Sequence, residues 1–254
     1  MGRFFALLRF QIKTLFISPS TYAATFLFTL LMGLIYFLIL QELGSENSKN
    51  SVEIFLSLFW IPVLFMVPML TMRSIAEERK LGTLQAVLTA RVSAFELVLA
   101  KFLACYFVYV FMWVLTAFFP IMTSYAVSHA AIDDRIFSVS SLISSYVFIF
   151  VSGAAYVAVG IFSSSLTRST FVAGMLAFCL LFIMILGPAL IVKIPVSSEY
   201  LSAAIESASG YVQPFKALED FSGSVLDTRP FFFYFSLAAV LVGATSLITE
   251  YKAS

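Results

Sequence analysis

Few residues of this chain are equipped for chemistry, and their spacing limits what that chemistry can be. His129 is the only histidine, and the two cysteines, Cys105 and Cys179, sit apart inside apolar runs. A zinc site or a disulfide framework needs clustered Cys and His, so these thiols read as buried apolar side chains. Five acids, Glu199, Glu206, Glu219, Asp220 and Asp227, gather between 193 and 230. Their spacing matches no ligand or acid/base pattern, and they read as solvated charge. No Gly-Lys pair occurs anywhere, so the glycine-rich loop that cradles nucleotide phosphates is missing. The expectation is no catalytic residue, no metal and no cofactor on this chain, with any ATP and Mg on another polypeptide.

The densest polar stretch is 73–93, RSIAEERKLGTLQAVLTARVS. Glu77, Glu78, Arg79 and Lys80 continue an apolar run into water. Gly82 is a natural helix stop. Leu84, Val87 and Leu88 then share one face of a short helix. Ser93 and Glu96 have the spacing of a capping box that launches the next apolar run. This charged, amphipathic hairpin is either a solvated loop or a docking surface for a soluble partner; the residues alone leave both open.

The elements that hold the hairpin are set by composition. Of 254 residues, 61% are hydrophobic and 11% charged, with a mean hydropathy of +1.01 and a net charge of +1. Soluble domains carry about 25% charged residues, so a water-soluble enzyme, a disordered chain and a nucleic-acid-binding module are all excluded. The apolar residues form continuous runs, not the alternation of a transmembrane barrel. Six runs reach the roughly 20 residues that span a bilayer as helix: 22–40, 54–72, 97–125, 142–166, 171–192 and 231–249. Only the third contains an ionisable residue of the Asp, Glu, Lys, Arg or His type, Lys101, which is expected to snorkel to the headgroups. With no such group at midplane, proton relays and voltage sensing lose their usual carriers. Pro62, Pro68, Pro120 and Gly187-Pro188 read as tolerated kinks. Gly153, Tyr156 and Gly160 share a face suited to close helix packing.

Loop charge fixes an expected orientation. The side carrying both ends of the sequence holds ten Lys/Arg against four acids, and the other side five against ten. By the positive-inside rule both termini are expected in the cytoplasm. Residues 3–17 place Gly2, Ala6, Arg9 and Lys13 on one stripe and Phe4, Phe5, Leu8, Ile12, Leu15 and Phe16 elsewhere, the pattern of an interfacial helix, turned into the first span at Ser18-Pro19. Arg9 and Lys13 interrupt a signal-peptide reading, and Ala6 stands where a myristoylation site needs Ser or Thr. In the external loop, Phe215, Leu218 and Phe221 after Pro214 suggest a short helix. The expected fold is therefore all-α and polytopic, a single transmembrane domain over 1–254. It has six transmembrane helices, an N-terminal interfacial helix, a cytosolic helix in the second loop and short external helices before the last span.

Met72 to Lys80, Gly82-Thr83-Leu84, Leu88-Thr89, Val92-Ser93 and Glu96 to Lys101 resemble the signature of ABC-2-type permeases. The likeness is nearest to the gliding-motility-type (GldF-like) and nitrous-oxide-operon-type branches. Val159 to Thr167 resembles the family's fourth-span end, and Phe221 to Arg229 its segment before the last span. The family often has Pro where Arg91 stands and Gly where Ala100 stands. The resemblance implies a permease subunit of an ABC transporter, working in export or transmembrane work in a bacterial inner membrane. Its implied partners are a cytosolic ATPase dimer, a second permease, identical or homologous, and a subunit with a large external domain, besides membrane lipids and without nucleic acid. It also implies that Glu77, Glu78, Arg79, Gly82, Thr83, Leu84 and Leu88 dock the ATPase through a coupling helix. An ATP-independent facilitator or channel, and a scaffold transmitting mechanical force, remain alternatives.

Overall fold

The computed structural model describes residues 2–42, 51–83, 93–127, 139–191 and 229–252, together with Pro214 and Leu218. All regular structure among them is helical: α1 (Gly2–Ile17), α2 (Pro19–Glu42), α3 (Ser51–Ser57), α4 (Trp60–Thr71), α5 (Ala76–Leu81), α6 (Ala94–Thr116), α7 (Phe118–Val127), α8 (Val139–Leu166), α9 (Thr170–Ile191) and α10 (Arg229–Tyr251). Among the described residues six stretches are long and apolar enough to cross a membrane: Pro19–Gln41, Trp60–Leu81, Ala94–Thr123, Val139–Leu166, Thr170–Leu190 and Arg229–Tyr251. The chain is a multi-pass all-α membrane protein, as its composition requires.

Two of the runs expected as single helices are divided. The second breaks at Leu58-Phe59, between α3 and α4. Pro62 has no N–H to give the Leu58 carbonyl, which instead accepts the tighter bond from Ile61 N–H at 3.2 Å. The third breaks at Ala117, three residues before Pro120, between α6 and α7, and there Ala117 N–H reaches back to Val114 O at 3.2 Å. Pro68 and Pro188, by contrast, lie inside α4 and α9. At the N-terminus, α1 is separated from α2 at Ser18, Pro19 occupies the first position of α2, and α1 packs along α6 with Phe16 edge-on to Phe107 and Phe111.

The axis of the bundle is α8. It packs against α3, α4, α6, α9 and α10 and is the most deeply buried of the six spans. Small residues allow this crowding. A side chain at Gly153 would run into the ring of Tyr109 on α6, and one at Gly160 into Thr71 on α4. Between them Tyr156 is buried against Tyr234 of α10, ring centroids 6.0 Å apart. Gly153→Ala is therefore expected to overpack a site where Tyr109 is fully buried, lowering stability by about 1–3 kcal/mol. A thermal-unfolding midpoint in mild detergent equal to the parent's would show that the Tyr109 ring moves aside freely.

Candidate functional site: the base of the hairpin

The second span ends in an irregular turn, Met72 to Ile75, before α5 resumes the helix. A helix break near a membrane boundary exposes backbone groups that need partners. They come from other spans. The Ser164 hydroxyl of α8 accepts the N–H groups of Ile75 and Ala76, both at 3.0 Å, and donates to Met72 O at 3.2 Å. One O–H and two lone pairs are thereby all used. From α6, the Lys101 ammonium donates to Ser74 O at 2.7 Å and to Glu78 Oε1 at 2.6 Å. Three spans thus meet at one turn.

Lys101 departs from its expected snorkelling. Its side chain is only 4% exposed, turned inward to the Glu78 carboxylate. Glu78 lies one helical turn beyond Ser74, so a single ammonium answers both a bare carbonyl and a charge. The other carboxylate oxygen, Glu78 Oε2, is buried with no hydrogen-bond partner among the described residues.

On the far side of α5, Arg79 Nη1 donates to Ser165 O at 2.7 Å and Thr167 O at 3.4 Å. Lys252, just past α10, donates to Ser165 O at 3.3 Å and Leu166 O at 3.0 Å. Both cations cap the C-terminal end of α8, where unpaired carbonyls and the helix dipole favour positive charge. Desolvation, with Arg79 and Arg168 nearby, holds the Lys252 ammonium below the usual lysine range.

Residues grouped by the sequence as a hairpin therefore divide by what they touch. Glu78 and Arg79 are held within the chain. Glu77 is half-buried, and Lys80, Leu81, Gly82 and Thr83 are exposed. Gly82 ends α5 in the left-handed conformation, φ 71°, its N–H directed to Arg79 O and Glu78 O. Leu84, Leu88 and Arg91 lie outside the described residues. At the far end, Ser93 Oγ accepts Glu96 N–H and Glu96 Oε2 accepts Ser93 N–H, each at 3.2 Å, a complete capping box at the start of α6. Ala100 is fully buried in α6. Beside the turn lies a cavity of about 240 Å³ between α1, α4, α5 and α6, with Arg73, Glu77, Glu78 and Lys101 among its walls. The described residues hold no group of three or more His, Cys, Asp or Glu able to bind a metal. The external acids Glu199, Glu206, Glu219, Asp220 and Asp227, His129, and Phe215 and Phe221 of the external helix also lie outside the described residues, although Pro214 and Leu218 are both buried.

Sequence reasoning found the hairpin but missed Ser164 and Lys252. The one signal for Ser164 was its place in Ser163-Ser164-Ser165, three hydroxyls ending an apolar span.

A family model described as an ABC-2 family transporter protein matches residues 38–218. The chain belongs to the ABC-2 transporter family. The match takes in α3 to α9 and the whole hairpin, and so most of the contacts that brace the turn in this ABC-2 protein; Lys252 and α10 lie beyond it. Among curated proteins none matches the chain. Membership makes it a membrane component of a transporter.

Proposed function

We propose that this ABC-2 protein is the permease subunit of an ABC transporter, coupling ATP hydrolysis by a separate cytosolic ATPase dimer to export or other transmembrane work. The observation that carries the reading is the bracing of α5. A force applied beyond Gly82 meets no slack, because Lys101, Ser164 and Arg79 tie that helix to the ends of α6 and α8. In this reading Leu84 and Leu88 make the apolar contact with the ATPase, Glu77, Gly82 and Thr83 orient it, and Glu78 and Arg79 pass its displacement to the bundle. ATP binding then works by a difference in affinity for two arrangements of the spans. A second permease, identical or homologous, completes the assembly, with a subunit bearing a large external domain as in the gliding-motility-type branch.

Loop charge supports cytoplasmic termini, and the resemblance to ABC-2-type permeases supports a bacterial inner membrane. The exposed flank of α5, with Lys80, Leu81 and Thr83, supports a soluble partner at that face. The test is reconstitution with the ATPase that co-purifies in mild detergent. Leu84→Asp and Leu88→Asp are expected to insert normally and to lose at least tenfold of the permease-stimulated ATPase rate, because each places a charge in an apolar contact. Full stimulation by both variants, or solute flux through the purified chain without ATPase or nucleotide, would overturn the reading.

A further inference from the structure

Three cations from three separate segments converge at the C-terminal end of α8. Arg79 comes from α5, Arg168 from the turn between α8 and α9, and Lys252 from the end of α10. Arg79 and Lys252 bond the same carbonyl oxygen, that of Ser165, so their charges are neighbours. Arg168 is close enough to act electrostatically on both. Among the described residues no ion pair within 4.0 Å involves any of the three; the Lys101–Glu78 pair at the neighbouring turn uses another cation. Of the acids that adjoin them in sequence, Glu78 is paired with Lys101, and neither Glu77 nor Glu250 comes within ion-pair distance of the three among the described residues. Backbone carbonyls supply partial negative charge, which orients these side chains without neutralising them.

The surroundings select the kind of anion. Leu166, Phe171, Leu247 and Tyr251 stand exposed on the same ends of α8, α9 and α10, Tyr251 adjoining Lys252 in the chain. An anion with apolar tails meets both surfaces at once; a soluble acidic protein meets only the cations. We propose that Arg79, Arg168 and Lys252 form a binding site for the phosphodiester headgroup of an anionic phospholipid, whose acyl chains lie along α8, α9 and α10. Arg168 and Lys252, both exposed, supply the exchangeable contacts, and Arg79 fixes the depth of the phosphate. The inference uses the spans and the cation geometry only, so it stands apart from the coupling to an ATPase.

The full chain, released from mild detergent into a native mass spectrometer with equal amounts of phosphatidylglycerol and phosphatidylcholine, tests it. The parent is expected to retain phosphatidylglycerol in preference. The double variant Arg168→Gln, Lys252→Gln should lower that preference by about thirtyfold, given roughly 1 kcal/mol for each of the two basic residues at a charged membrane surface. Arg9→Gln, Lys13→Gln, a control on the cations of α1, should leave it unchanged, and gel filtration confirms that each variant folds. Equal retention of the two lipids by the parent, or an unaltered preference in the double variant, overturns the site. Displacement by inorganic phosphate as effective as by phosphatidylglycerol overturns the lipid assignment in favour of a free anion. Loss of ATPase co-purification from the double variant with lipid retention intact overturns it in favour of a protein contact.

Discussion

Replacing Lys101 with methionine is expected to destabilise the protein by about 2–3 kcal/mol. Methionine keeps the length and apolar stem of the side chain, so the loss isolates the ammonium. Without it the Ser74 carbonyl and Glu78 Oε1 lose the donor that serves both, at 2.7 and 2.6 Å. Among the described residues Glu78 Oε2 has no partner to fall back on. Removing one member of a fully buried pair costs about 3–5 kcal/mol, and the 25% exposure of the Glu78 side chain brings the figure down. Glu78→Leu in the Lys101→Met background should recover much of the loss, since no charge is then stranded. Equilibrium unfolding of Lys101→Met, Glu78→Leu and the double variant in mixed detergent micelles gives the cycle. If the single and double variants unfold at the parent's midpoint, the ion pair does not brace the turn.

Ser164→Ala is expected to cost about 2–4 kcal/mol, from the removal of one oxygen. That oxygen accepts two main-chain N–H groups, of Ile75 and Ala76, and each buried donor left without a partner costs about 1–3 kcal/mol. The effect should be local as well as global. Hydrogen exchange at Ile75, Ala76 and the following turn of α5 should accelerate well beyond that at α4, because only the junction loses its clamp. Permease-stimulated ATPase activity should fall with it, while Gly153→Ala, which strains α8 far from the junction, should spare the local exchange rates. Parent-like exchange at Ile75 and Ala76 would mean that water replaces the hydroxyl without penalty.

What was legible in the sequence was what depends on near neighbours. The Ser93–Glu96 capping box and the left-handed Gly82 are set within a few residues, and both stand where the sequence places them. The six spans follow from composition and run length. The divisions at Leu58-Phe59 and Ala117 carried a local mark, a proline three residues onward, but Pro68 and Pro188 carry the same mark and sit inside helices. Whether a proline breaks a helix depends on who satisfies the freed carbonyl, which is a tertiary matter. Lys101 shows the same limit. A lysine one turn into a span has two destinations, water or a buried carboxylate, and only the return of α5 over α6 places Glu78 within reach. Ser164 bonds backbone 88 and 89 positions away, a separation that no periodicity reports.

The central place of α8 bears on how the chain comes to be built. It is the fourth crossing, so the first three enter the lipid before the helix they are to lean on exists. Through that interval Tyr109 lacks the Ile149 carbonyl that receives its hydroxyl, and the bend after Thr71 lacks its serine. A ribosome stalled before residue 139 would leave a nascent chain with unsatisfied polar groups in hydrocarbon, the kind of signal by which insertion chaperones hold, and membrane proteases remove, an unfinished product.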